Sequence, residues 1–147
     1  MKWALKQSTN QLHYWKMEQH EFNAELKYNQ LAQSFRLTAG DKRLFFIEKA
    51  GFLQNKFLLR TEYSVVAAEI YPVKNWHAGI VSIDHKKINY SLKDNLLVLS
   101  SKKDNLSLAI ELEDVERLNQ SELCALLFST VRVLTASYAE KTKTELA

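Results

Sequence analysis

Few residues in this chain have the types and spacing that chemistry requires. The four histidines, His13, His20, His77 and His85, come first. A zinc site needs ligands a few residues apart, with cysteines or carboxylates converging on them. His13 and His20 are seven residues apart on what read as separate strands. His85 adjoins Asp84 in a turn, where neighbours point to opposite sides. The expectation is no metal site. Nucleophilic catalysis needs a Ser or Cys against a base that a third group holds. The single cysteine, Cys124, stands in an apolar stretch and reads as a small packed hydrophobe. There is no Gly-x-Ser-x-Gly elbow, and three far-apart glycines build no phosphate cradle. Glu21 and Glu25 share the polar face of one predicted strand, and Glu48, Glu69 and Glu111 look similar. A carboxylate pair inside a barrel could do acid–base work, but nothing in the spacing puts one there. The expectation is a protein with no catalytic residues, no cofactor and no enzyme activity.

Two charge features carry more. Lysines recur in predicted turns, as Lys42 with Arg43, Lys86 with Lys87, and Lys102 with Lys103. On neighbouring hairpins these pairs could gather at one rim and suit acidic lipid headgroups, at about 1 kcal/mol per charge near an anionic surface. Against this, charged turns are ordinary in soluble hairpins, and Asp41, Asp84 and Asp104 dilute each pair. The second feature is Arg132, which stands among apolar neighbours in a predicted helix. Buried, it needs a partner such as Glu48 or Glu69. Near a helix end it would snorkel out to water. Trp15, Trp76 and Phe52 could add an exposed aromatic surface, with packing as the default for each.

The element that must position all of this is the stretch from Asn119 to about Glu140. It reads as one helix, apolar nearly all the way round. Leu123, Leu126, Leu127, Val131 and Leu134 make one stripe, while Cys124, Ala125 and Phe128 fill much of the opposite side. A helix on a surface keeps a polar face, so this one must be surrounded. Asn119 and Glu122 stand at capping-box spacing. The apolar run is shorter than the roughly 20 residues of a membrane span. Ser129, Thr130, Arg132, Thr135 and Ser137 interrupt it.

The rest reads as about eleven short strands with turn-to-turn spacing near 8 to 12 residues. Alternation is clearest at Phe22-Ala24-Leu26-Tyr28, Ile88-Tyr90-Leu92 and Leu106-Leu108-Ile110-Leu112. Ala39-Gly40-Asp41, Ala50-Gly51-Phe52, Asp84-His85 and Asp94-Asn95 read as turns. A strand from Val65 to Tyr71 is expected to end at Pro72. Short connections predict an antiparallel meander. So many strands face an edge problem that closure solves. A barrel of more than about eight strands is too wide for its own side chains to fill, and the apolar helix supplies the filling. The predicted fold is a mainly β single domain over 1–147: an 11–12-stranded antiparallel barrel with its C-terminal helix through the centre.

Composition narrows the function classes. The net charge of +3 is mild and the basic residues are spread out, so no nucleic-acid partner is implied. One cysteine excludes an internal disulfide and suits a reducing compartment. The opening Met-Lys-Trp-Ala-Leu-Lys-Gln-Ser lacks an apolar run of signal-peptide length, so the expectation is a cytoplasmic protein.

The pattern from Phe22 to Leu134 resembles the tubby C-terminal-like superfamily, which includes the LURP-one-related proteins and the phospholipid scramblases. The likeness lies in Phe-Asn-Ala-Glu-Leu at 22–26, the hairpin Phe-Arg-Leu-Thr-Ala-Gly-Asp-Lys-Arg-Leu-Phe-Phe at 35–46 and the Gly51-Phe52 turn. It continues in Val-Ala-Ala-Glu-Ile at 66–70, Gly79-Ile80-Val81 with Tyr90, and Glu-Leu-Cys-Ala-Leu-Leu-Phe at 122–128. It is a likeness of pattern, without the phosphoinositide-binding positions of the tubby domain or a calcium segment of scramblase kind. It implies a fold and an association with membranes or lipids. The expected function is a non-enzymatic binding or structural module that meets an anionic membrane or a protein partner. The alternative is a lipocalin-like carrier, with an apolar ligand in an open barrel and the helix packed outside.

Overall fold

The structure, a computed structural model, describes residues 1–18, 23–73 and 75–146, with the backbone alone at 54 and 136–146. Eleven strands are present: β1 Lys2–Ser8, β2 Leu12–Glu18, β3 Glu25–Asn29, β4 Ser34–Ala39, β5 Asp41–Ala50, β6 Lys56–Thr61, β7 Val66–Val73, β8 Ala78–Ile83, β9 Lys86–Lys93, β10 Leu96–Ser101 and β11 Leu106–Leu112. Each pairs with its chain neighbours, and β1 meets β11 to close the barrel. All neighbours are antiparallel except at the closing seam, where Lys2↔Glu111 and Trp3↔Leu112 pair in parallel. The parity explains it. In an up-and-down barrel with an odd number of strands, the first and last run the same way.

Period-two burial is clean where the sequence alternates. In β9, Ile88, Tyr90 and Leu92 are buried while their neighbours are exposed. A two-residue hairpin joins β8 to β9 through Asp84 and His85, both at positive φ, 50° and 63°. Two such residues make the turn whose twist matches the flanking strands. The strand expected to stop at Pro72 runs on to Val73. Pairing of β6 with β7 ends at Phe57↔Ile70, so no β6 partner stands opposite Pro72 to need its missing N–H. On the other side Pro72 faces Gly79, where an added Cβ would lie 2.3 Å from the Tyr71 carbonyl oxygen. The expected strand start at Phe22 falls outside the described residues.

Helix α1 spans Gln120–Leu146, longer than the stretch to Glu140 that the sequence suggested. Every residue from Ser121 to Val131 is at most 6 % exposed. Burial around three consecutive turns in one chain means that the helix lies in the lumen. Phe128 packs edge-on against Phe45, centroids 4.7 Å apart, and against Phe35 at 5.9 Å. Thr130 donates to the Leu126 carbonyl at 2.7 Å and accepts the Trp3 indole N–H at 2.9 Å. The polar residue that breaks the apolar run thus ties the helix to β1. No helix among the described residues is long and apolar enough to cross a membrane.

At about 1.5 Å per residue the 27-residue helix is roughly 40 Å long. The strands have at most ten residues and tilt about 40°, as barrels require. The helix therefore outruns the barrel. It enters at the end that holds the β1–β2, β3–β4, β5–β6 and β9–β10 turns. It leaves at the end that holds the β4–β5, β6–β7, β8–β9 and β10–β11 turns.

Candidate functional site

The entry end contains a buried polar cluster. Inward positions on β2 alternate as His13, Trp15 and Met17, all buried. Gln30 follows β3, whose Tyr28 pairs with His13. Glu122 stands in the first turn of α1. Asn119 caps the helix, its Oδ1 accepting the Glu122 N–H at 2.7 Å and the Tyr28 hydroxyl at 3.3 Å. Only half of the expected capping box forms, because the Glu122 side chain turns into the barrel instead. Its Oε2 accepts the Trp15 indole N–H and the His13 Nδ1–H, each at 2.8 Å. A carboxylate can only accept, so the His13 proton on this side sits on Nδ1. Gln30 Nε2 donates to His13 Nε2 at 3.1 Å. Both ring nitrogens are thereby engaged.

Glu122 is 1 % exposed, and its second oxygen, Oε1, has no hydrogen-bond partner among the described residues. The helix N-terminus offsets part of the burial cost of this charge. The cluster borders a cavity of about 290 Å³ lined also by Ser8, Thr9, Asn10, Asp114 and Arg117. Nearby, burial pushes the Tyr28 hydroxyl up from its ordinary value, while its hydrogen bonds with Asn119 and Ser121 pull the other way. Burial alone pushes the Cys124 thiol well up. That thiol is a packing group, as its apolar neighbours suggested.

The exit end holds the six basic residues singled out in the sequence. Lys42, Lys86, Lys87, Lys102 and Lys103 are exposed, and Arg43 is half-buried. The turns carrying Lys86 with Lys87 and Lys102 with Lys103 are neighbours around the ring. The Lys42–Arg43 turn is separated from them by the β6–β7 turn. Arg43 is also engaged, 3.8 Å from Asp41 and 4.0 Å from Glu62. Four lysines thus share one sector and the fifth stands apart. Between them and α1 is a recess of about 270 Å³ with Ile88, Leu106, Val131 and Leu134 in its walls and Lys86 and Asp104 at its edge.

Other candidates resolve as follows. Arg132 is half-buried near the exit end, its guanidinium 5.3 Å from the centre of the Phe45 ring. Neither proposed carboxylate partner reaches it: Glu48 pairs with Arg60 at 2.9 Å, and Glu69 with Lys56 at 3.8 Å and with the Tyr71 hydroxyl. Glu25 is half-buried beside Tyr14, and Glu111 is exposed. Glu21 and His20 lie outside the described residues. His77 and His85 are exposed. No group of three or more metal-ligating side chains converges among the described residues. Of the three aromatics, Phe52 is 83 % exposed, Trp76 half-buried and Trp15 buried in the carboxylate cluster.

The His13–Glu122 pair was not read from the sequence, because its members are 109 residues apart. One signal was available. Glu122 is the only charge between Asn119 and Val131, in a helix that must be enclosed. Capping-box spacing already gave it a role at the start of the helix, and that explanation concealed the buried one.

Comparison of the chain with models of known protein families, with curated proteins and with solved structures finds no match.

Proposed function

We propose that this protein is a non-enzymatic binding module that docks through its exit end onto an anionic membrane surface. The observation that carries this reading is the filled lumen. With α1 occupying the barrel axis, buried from Ser121 to Val131, the middle of the barrel is filled by the chain's own side chains, and attention moves to its two ends. The carrier alternative needed the helix outside the barrel, and the helix is inside. At the exit end, Lys86 stands at the edge of an apolar-walled recess, and the exposed Lys87, Lys102 and Lys103 lie in the same two neighbouring turns. A lipid offers that pairing, with acidic headgroup above and hydrocarbon below. Membership of the tubby C-terminal-like superfamily is part of the same proposal. It is supported by a closed barrel with its C-terminal helix in the lumen.

The test is sedimentation with vesicles. Vesicles containing phosphatidylserine should carry the protein down, and purely phosphatidylcholine vesicles should not. Binding should weaken with salt, because surface charges are screened. Equal binding to both vesicles, or binding to neither, would sink the reading.

A further inference from the structure

We infer that the entry end is a second binding site, for a small organic cation bearing N–H donors, such as a primary ammonium or a guanidinium group. Glu122 carries the argument. Buried polar groups are normally hydrogen-bonded, and a buried acceptor left without a donor is costly. Glu122 Oε1 is such an acceptor, on a side chain 1 % exposed that borders the cavity. Its other oxygen is held by Trp15 and His13, so the carboxylate cannot rotate to share its donors without breaking two bonds of 2.8 Å. Two of the donors in the lining are already engaged. His13 has both ring nitrogens in use. Thr9 folds into its own turn, bonded to Leu12 and to the Gln11 N–H. In this reading a ligand's N–H supplies the missing donor.

The lining also sets the ligand's charge and size. Two carboxylates, Glu122 and Asp114, face one guanidinium, Arg117, and Arg117 is exposed. An anion would meet the buried carboxylate directly. A divalent metal ion wants several oxygen ligands at once, whereas this site has one free oxygen on its buried carboxylate, an exposed second carboxylate at Asp114, and a histidine with no free nitrogen. A compact N–H cation needs only one strong acceptor and a polar wall. The volume of about 290 Å³ lies at the small end for ligand pockets. This site is independent of the lysine-rich end, at the opposite mouth of the barrel.

The experiment is an NMR titration of the intact protein with n-butylammonium chloride, read at the Trp15 indole N–H. Tetramethylammonium chloride, which has the charge but no N–H, is the control. The expected result is a saturable shift with n-butylammonium across the millimolar range, and none with tetramethylammonium. Glu122→Gln should weaken the affinity about tenfold or more, the effect of losing a hydrogen bond to a charged group. Should that variant fail to fold, Ser8→Trp, at an exposed lining residue, blocks the cavity and should abolish saturation with the melting temperature kept. An unsaturable drift, an equal response to tetramethylammonium, or full affinity in the folded variants would overturn the proposal.

Discussion

At the entry end of the barrel, charge is buried and held. Glu122, His13, Trp15 and Gln30 join two strand regions to the first turn of the helix. At the exit end charge is exposed: four lysines stand in two neighbouring turns, and Arg132 rests on the face of Phe45. The same chemical property is therefore under different energetic control. A buried carboxylate whose partners are removed is left in a medium that cannot solvate it. A lysine in a turn is solvated with or without a partner, so its loss changes what the surface attracts and little else. The entry end should govern stability, and the exit end should govern association.

The largest expected effect tests what both ends share. Ending the chain at Asn119 removes the helix that fills the lumen, and the remaining strands should not fold. Circular dichroism and a thermal melt would show this. A soluble truncation that melts cooperatively would break the comparison altogether. Next in size, Glu122→Ala should destabilise by about 3–5 kcal/mol, because it leaves the Trp15 and His13 N–H groups without their acceptor. Denaturant titration measures it, and a loss below 1 kcal/mol would mean that the cluster is not structural.

A smaller effect is expected from the thiol between the two ends. Burial raises the Cys124 thiol above its ordinary value of 9.0. The folded state thus keeps the neutral form while the unfolded chain ionises. Its contribution is intact below pH 9 and declines above it, by at most about 1.4 kcal/mol per pH unit. Melting temperatures measured from pH 7 to 11 should fall in the alkaline range, and Cys124→Ala should fall less steeply. Parallel curves for the two proteins would reject this. The smallest effect on stability belongs to Lys86→Glu with Lys87→Glu, expected within about 0.5 kcal/mol of the parent. The same pair should nevertheless lose binding to phosphatidylserine vesicles, at about 1 kcal/mol for each lysine removed. Large destabilisation with intact vesicle binding would reverse the assignment of the two ends.

Much of the architecture was legible because it is local. Alternation at Ile88, Tyr90 and Leu92 has one physical reading, a strand with one face buried. A helix with Leu123, Leu127 and Val131 on one side and Cys124, Ala125 and Phe128 on the other has only one soluble solution, which is enclosure. Pro72 was misread because a proline's tolerance depends on the neighbouring strand. Here β6 has already stopped pairing when β7 reaches it. The clustering of the lysine turns was only half legible. Meander topology sends alternate turns to one end, but their angular position depends on strand order around the ring.

The sequence by itself determined the strand period, the turns, the enclosed helix and hence a closed barrel, because each follows from where apolar side chains must avoid water. Only the tertiary structure decided that Glu122 would meet His13 and Trp15, and that its Oε1 would lack a donor. Such pairing depends on the height at which the helix sits inside the barrel. That height is set by contacts between residues far apart in sequence, such as Phe128 with Phe45 and Trp3 with Thr130. No spacing along the chain encodes it.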